Sequence, residues 1–245
     1  MRALTTAEWL NVWEAGLRQR PPAWVLTLLT VACPNLAVDT LAQFSIGQRD
    51  ACLLTLREML FGSQVATLTE CPKCKTHLEL TFEIKDIRVA SPETTSAPEA
   101  LSIGEWRVHF RLPNTLDLLA IANAQELDAA RHALYLRCLL HAERNCEVIS
   151  ADQVPEQAAR AVVAQMAELD PQGDVQLALA CPACAQQWEA NFDIVRFLWA
   201  ELDAWAIRTV RDVHCLASAY GWNEADILAL SSWRRAMYLE LIGQG

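Results

Sequence analysis

The sequence lacks the features that mark several common classes of protein. It contains no glycine-rich phosphate loop, no Gly-x-Ser-x-Gly and no His-Glu-x-x-His motif. Its longest apolar run, residues 24–33, lies between prolines and has about half of the roughly 20 residues that a membrane span needs. The N-terminus has charged residues throughout and no central apolar region of a secretory signal. We therefore expect a protein that is not an enzyme and does not bind a membrane.

Basic residues are scarce in one stretch of the second half of the chain, residues 147–206. Residues 147–206 contain ten acidic residues, whereas Arg160 and Arg196 are the only basic ones. A polyanion such as DNA binds mainly through Lys and Arg, which displace its counterions. The charge distribution therefore disfavours nucleic acid as a partner. It is typical of a solvated acidic surface or of a docking face for a basic protein.

Composition indicates a folded protein from a reducing compartment. Hydrophobic residues make up 53% of the chain and charged residues 20%, which is the profile of a globular protein. The nine cysteines are an odd number, and no signal peptide precedes them. These features fit the cytoplasm better than a framework of disulfide bonds.

One short motif occurs twice. The stretch "CPKCKTHLELTFEI" begins at Cys71, and "CPACAQQWEANFDI" begins 110 positions later at Cys181. Both copies place an acidic residue five positions after the second cysteine and end in Phe-acid-Ile. Apolar and polar residues alternate on both sides of the first pair and, less strictly, of the second, which predicts two β-hairpins with Cys-Pro-x-Cys at their tips.

The two pairs together supply the ligand set of a structural zinc site. Four thiolates complete the coordination of one Zn²⁺ ion and leave no open position for substrate. We therefore predict one structural zinc ion per chain, bound by Cys71, Cys74, Cys181 and Cys184. The pattern departs from a compact zinc ribbon in its long sequence gap and in Lys75 and Ala185, which stand where glycine often eases the turn.

Other interpretations of the cysteines and histidines remain open. A Cys-Pro-x-Cys pair also occurs in thiol oxidoreductases, where the first thiol lies at a helix N-terminus, although strands are predicted here. His77 could replace a cysteine, but four thiolates suffice, and a solvated histidine is the simpler prediction. The other histidines look scattered and form no recognisable constellation: His109, His132, His141 and His214.

The predicted fold class is α+β, predominantly α-helical, with a zinc-ribbon-like pair of β-hairpins assembled from distant segments. The predicted segments are an N-terminal helical segment (1–64), the first hairpin (65–89), a flexible linker (90–100), a strand plus helical segment (101–170), the second hairpin (171–192) and C-terminal helices (193–245).

Within those segments the periodicity predicts individual elements. Residues 106–112 alternate as a strand, and residues 115–143 and 155–169 are typical of helices. A long helix starts near Asn191 or Asp193 and ends at Gly221. Tryptophans that follow helical spacing are expected in the core: Trp9, Trp13, Trp24, Trp199, Trp205 and Trp233.

The chain resembles a known family in three places. These are the two hairpins, the stretch "MAELDPQGDVQLALACPACAQQWEANFDIVRFLWAELDAW" and the tail "AYGWNEADILALSSWRRAMYLELI". Through most of its length the chain resembles baseplate-type proteins of contractile injection systems and tailed phages, similar to the T-even phage baseplate hub assembly family.

The resemblance implies a non-enzymatic protein that builds or stabilises the baseplate of a phage-tail-like particle in the bacterial cytoplasm. Its partners would be baseplate, hub or tail proteins, and it would act as an assembly factor or stay in the finished particle. Two alternatives remain: a zinc-ribbon nucleic-acid-binding or regulatory module, and a thiol oxidoreductase.

Overall fold

The structure is a computed structural model, and it describes residues 1–19, 21–89, 99–145, 147–150 and 153–243. The chain divides into two compact units. One consists of Met1–Leu36 and Val195–Gly245, and the other of Ala37–Ile194. Both Cys-Pro-x-Cys motifs lie in the second unit.

Helices and small antiparallel sheets alternate along the chain. The helices are α1 (Thr6–Gly16), α2 (Pro21–Ala32), α3 (Val38–Ala42), α4 (Ile46–Phe61), α5 (Ile84–Ile87), α6 (Thr115–Ile121), α7 (Leu127–Cys138), α8 (Glu156–Leu169), α9 (Ile194–Tyr220), α10 (Glu224–Ala229) and α11 (Ser232–Gly243). The strands are β1 (Gln64–Glu70), β2 (His77–Glu83), β3 (Glu99–Ile103), β4 (Trp106–Phe110), β5 (Leu139–Arg144), β6 (Glu147–Ile149), β7 (Gln176–Ala180) and β8 (Gln187–Asn191). This mixture confirms the predicted α+β class.

The first unit is helical, and its packing uses tryptophan. The rings of Trp24 and Trp199 lie 5.2 Å apart between centroids, which joins α2 to α9. The indole N–H of Trp13 donates a 2.8 Å hydrogen bond to the carboxylate of Asp203. The rings of Trp24 and Trp199 bury apolar area against each other. The indole N–H of Trp13 has a hydrogen-bond acceptor, as the N–H of a packed tryptophan usually does.

Sequence signals set the ends of helices in this unit. Thr5 and Glu8 form the capping box of α1, with reciprocal hydrogen bonds between side chain and backbone. The long helix α9 ends where Gly221 adopts a φ of 69°, a left-handed conformation that favours glycine. The Asn223 side chain then caps α10. The predicted long helix is therefore confirmed.

The prediction for Trp233 was wrong. Trp9 and Trp24 are buried, as expected, but the Trp233 side chain on α11 is 70% exposed. Met237 and Leu241 follow it at intervals of four residues and are also exposed. Helical spacing shows that these residues share a face. It does not show that the face is covered, and here the apolar stripe faces solvent.

In the second unit, a four-stranded antiparallel sheet has the order β3-β4-β5-β6. Its inner face, with Val108 and Phe110, packs against Val162 and Met166 of α8. The helix predicted over residues 115–143 is wrong in part, because it breaks after Ile121 and ends at Cys138, and residues 139–144 form a strand. Leucine and alanine favour a helix locally, but pairing with β4 and burial of Ala142 outweigh that preference.

The two hairpins form separate two-stranded sheets. In the first, β1 pairs with β2 from Gln64↔Glu83 to Glu70↔His77. In the second, β7 pairs with β8 from Gln176↔Asn191 to Ala180↔Gln187. The second strand of the first hairpin ends at Glu83, and the short helix α5 begins at the next residue.

The predicted flexible linker, residues 90–100, lies outside the described residues from 90 to 98. Its last two positions, Glu99 and Ala100, are the first residues of β3. The division of the chain into six segments remains a prediction.

Candidate metal centre

The backbone at the tip of each hairpin forms the same turn. In the first hairpin the Lys75 amide donates to the Cys71 carbonyl, and the Cys71 amide donates to the Thr76 carbonyl, both at 3.0 Å. The second hairpin repeats both bonds around Cys181, at 2.9 and 2.8 Å. The repeated motif therefore corresponds to a repeated backbone structure.

The residue after each second cysteine adopts a left-handed conformation. The φ angle is 60° at Lys75 and 56° at Ala185. These are the two positions where the sequence has no glycine although a turn of this kind favours one. A left-handed residue other than glycine costs roughly 1–2 kcal/mol. The surrounding hydrogen bonds hold both residues in this conformation.

The two tips face each other and bring all four cysteines together. Every pair of their Sγ atoms lies within 4.8 Å. The Sγ atoms of Cys71 and Cys184 are 3.7 Å apart, and those of Cys74 and Cys181 are 3.5 Å apart. Four sulfurs about 2.3 Å from one zinc ion lie about 3.8 Å apart in a regular tetrahedron. The spacing therefore fits that ion, and it is longer than the roughly 2.05 Å of a disulfide bond.

Burial differs among the four thiols. Cys71 and Cys181, the first cysteine of each pair, are buried, while Cys184 is partly buried and Cys74 is exposed. An ion at their centre would be covered on the side of the hairpins and would approach solvent on the side of Cys74. His77, the alternative ligand considered from sequence, is an exposed residue of β2.

The pKa values of Cys74 and Cys184 are shifted in opposite directions. Hydrogen bonds from the Thr76 side chain and backbone lower the pKa of Cys74 to about 6. At Cys184 a backbone hydrogen bond from Gln186 lowers the pKa, but desolvation and the neighbouring thiols outweigh it and raise the pKa to about 12. A charge on one sulfur disfavours a charge on the next. Four thiolates at this spacing therefore require a cation.

Contacts of Gln172 and of two phenylalanine rings position the hairpins without the metal. Gln172, in the turn before β7, accepts a 2.8 Å hydrogen bond from the Val89 amide and donates at 3.2 Å to the Ile87 carbonyl. Those carbonyl and amide groups follow the first hairpin. The rings of Phe82 and Phe192 meet edge to face with centroids 5.5 Å apart. The Gln172 contacts join the turn before the second hairpin to the residues after the first, and the aromatic contact joins Phe82 of β2 to the residue that follows β8.

Asp170 fixes the same turn to the start of α4. Its carboxylate accepts hydrogen bonds from the Ser45 hydroxyl at 2.9 Å and from the Gly47 amide at 2.8 Å. A Cβ atom at Gly47 would lie 2.2 Å from the Asp170 carboxylate, so this approach requires glycine. Nothing in the local sequence around Asp170 indicates these partners, which lie more than 120 positions away.

The geometry disfavours the thiol oxidoreductase interpretation. In such enzymes the reactive thiol lies at a helix N-terminus, whose dipole stabilises the thiolate. Here strands β2 and β8 follow the two cysteine pairs. The pKa of Cys74 is lowered mainly by hydrogen bonds with Thr76, and to a smaller extent by those with Cys184 and Cys181, and not by a helix.

A second group of possible ligands was missed from sequence. His109 and His141 looked scattered, but they pair directly across β4 and β5, and Glu143 lies near both. The signal that could have found them is the alternation His141-Ala-Glu143, which places both polar side chains on one face of a strand.

These features define a mixed helix and sheet protein with a four-cysteine cluster between two hairpins. The chain belongs to the family of T4 bacteriophage base plate proteins, whose model matches residues 23–199. No curated protein and no solved structure matches the chain. None of the helices in the described ranges combines the length and apolar character that crossing a bilayer takes.

Proposed function

We propose that this protein is a non-enzymatic structural or assembly component of the baseplate of a phage-tail-like contractile injection particle. The observation that carries the proposal is the family match over residues 23–199, which includes both hairpins and all four clustered cysteines. Membership of a base plate family supports a structural role. We further propose that the particle is contractile and that it is assembled in the bacterial cytoplasm.

The cysteine cluster is proposed to bind one structural Zn²⁺ ion per chain, with Cys71, Cys74, Cys181 and Cys184 as ligands. Four sulfur donors at tetrahedral spacing support this assignment. The ion would join segments more than 100 positions apart, in the manner of a zinc ribbon with a long insertion. Each two-stranded hairpin has little core of its own, so the ion would contribute to the stability of both.

The proposed partners are other baseplate, hub or tail proteins. Two surface features support protein contacts: the acidic excess of residues 147–206, and the exposed apolar stripe of Trp233, Met237 and Leu241 on α11. The acidic excess disfavours the nucleic-acid-binding alternative, because phosphates are bound by basic groups.

The test is to delete the gene in a bacterium that produces the particle and to examine lysates by electron microscopy. We expect sheaths and tubes without complete baseplates, and restoration by the wild-type gene. A double variant, Cys71→Ser with Cys181→Ser, should restore assembly poorly, whereas Cys215→Ser, at an exposed cysteine outside the cluster, should restore it fully.

Complete particles in the deletion strain would contradict the proposal. If the deletion strain lacks complete particles, mass spectrometry of particles purified from the wild type distinguishes a component of the particle from an assembly factor. A component of the particle is present in a fixed ratio to other baseplate proteins, whereas an assembly factor is absent from the finished particle.

A further inference from the structure

The outer face of the four-stranded sheet carries a group of polar side chains separate from the cysteine cluster. His109 on β4 lies directly opposite His141 on β5, and Glu143 lies two residues further along β5. Side chains at positions i and i+2 of a strand point to the same face. The neighbouring residues Val108 and Ala142 are buried on the other face, against α8.

The three side chains are close enough to share one ion. One potential ligand atom of each lies within 4.8 Å of the others. The two imidazole rings are stacked, with centroids 4.0 Å apart and planes at 13°. The nearest approach of His141 to the Glu143 carboxylate is 3.6 Å, which is longer than a hydrogen bond. The donors are therefore close together, and one imidazole has to rotate about its side-chain torsions out of the stacked arrangement for a nitrogen of each ring to bind the same ion.

Two imidazole nitrogens and one carboxylate oxygen form a ligand set suited to divalent transition metals such as Zn²⁺, Co²⁺ or Ni²⁺. We propose that His109, His141 and Glu143 form a second metal site, which binds one divalent transition-metal ion on the outer face of the sheet.

This site differs from the cysteine cluster in its access and in its number of ligands. The His141 side chain is 45% exposed and that of Glu143 is 29% exposed, so an ion can reach the site from solvent. Three protein ligands leave at least one position of a tetrahedral ion open for water, whereas four thiolates close the shell. The second site therefore binds an exchangeable ion, and the ion is not needed to fold the sheet.

Arg107 limits the affinity of this site. It lies opposite Glu143 in the register of β4 and β5, on the same outer face. Its positive charge repels a dication and attracts the carboxylate that would bind the ion. Replacing Arg107 by Gln should therefore strengthen metal binding.

The experiment is to dialyse the purified full chain against Zn²⁺ at micromolar concentrations and to measure bound metal by elemental mass spectrometry. We expect wild type to bind one more ion than His109→Ala or His141→Ala does. Loss of a group that only supports a ligand already weakens metal binding about 10–100-fold, so loss of a ligand should weaken it at least as much. His132→Ala, at an exposed histidine of α7, is the matched control and should behave as wild type.

A second readout uses the imidazole resonances in NMR spectra. Added Zn²⁺ should shift those of His109 and His141 together and leave His132 unchanged, and Glu143→Gln should require a higher concentration for the same shift. Circular dichroism checks that each variant is folded. Equal zinc binding by wild type, His109→Ala and His141→Ala would overturn the proposal, whatever metal the cysteine cluster holds.

Discussion

The two cysteine hairpins have the same tip and different bodies. Each tip has the same two backbone hydrogen bonds and a left-handed residue after the second cysteine. The strands of the first hairpin have seven residues each, and those of the second have five. The first tip carries Lys73 and Lys75, where the second has Ala183 and Ala185. What the copies share is therefore the geometry that directs two sulfurs toward one point.

The differences between the hairpins show what the proposed site does not need. Strand length and charge at the tip vary, so neither is required to position the thiols. The hydroxyl of Thr76 lies 3.2 Å from the Cys74 sulfur, whereas the Gln186 side chain donates to the Gln187 carbonyl instead. If one ion joins both tips, damage to either tip should have the same consequence.

The largest expected effect is the loss of one ligand. Cys71→Ser and Cys181→Ser should each release the metal and lower the free energy of unfolding by several kcal/mol, up to about 10 kcal/mol. Urea unfolding followed by circular dichroism measures this, with Cys215→Ser as the control. A large loss in one variant and none in the other would show that the hairpins do not share an ion.

A smaller effect is expected from the buried contact that joins the hairpins without metal. Gln172→Ala leaves the Val89 amide and the Ile87 carbonyl without their partner, which should cost about 1–3 kcal/mol. The loss should persist after the metal is removed by a chelator. Metal content measured on the same samples should equal that of the wild type, which would show that the loss of stability does not come from loss of the ion. A Gln172→Ala variant as stable as the wild type would contradict the role of this contact.

The aromatic pair tests direct coupling between the two hairpins. Phe82→Ala and Phe192→Ala should each be destabilising, and a double-mutant cycle should give a coupling of about 0.5–1.5 kcal/mol for the edge-to-face contact. Additive effects in thermal unfolding would mean that the rings do not stabilise each other.

The smallest effect concerns the left-handed residues. Lys75→Gly and Ala185→Gly should each stabilise their turn by up to about 1 kcal/mol, because glycine adopts a positive φ without a Cβ clash. The gain is reduced by the larger entropy of glycine in the unfolded chain. Differential scanning calorimetry should show similar shifts for both. Destabilisation of one turn alone would show that the tips are not equivalent.

Local sequence predicted the parts of this structure that depend on local physics. Alternation predicted the hairpins, helical periodicity and Gly221 predicted α9 and its end, and the cysteine spacing predicted which thiols come together. The parts that local sequence did not predict depend on contacts between residues far apart in the chain. The strand at residues 139–144 has a helical composition, and only its pairing with β4 and the burial of Ala142 make it a strand.

The contacts that position the candidate site were also beyond local sequence. Gln172 bonds to residues 83 and 85 positions away, and Asp170 bonds to residues 123 and 125 positions away. A polar residue in a turn is ordinarily solvated, so nothing marks these two as buried. The pairing of His109 with His141 likewise depends on the register of two strands.

Metal content tests the central claim most directly. Elemental mass spectrometry should find one zinc ion per chain in the wild type and almost none in Cys71→Ser or in Cys181→Ser, after dialysis that removes weakly bound ions. A wild-type chain without metal would contradict the shared site. So would a variant in which zinc is retained by the intact hairpin alone.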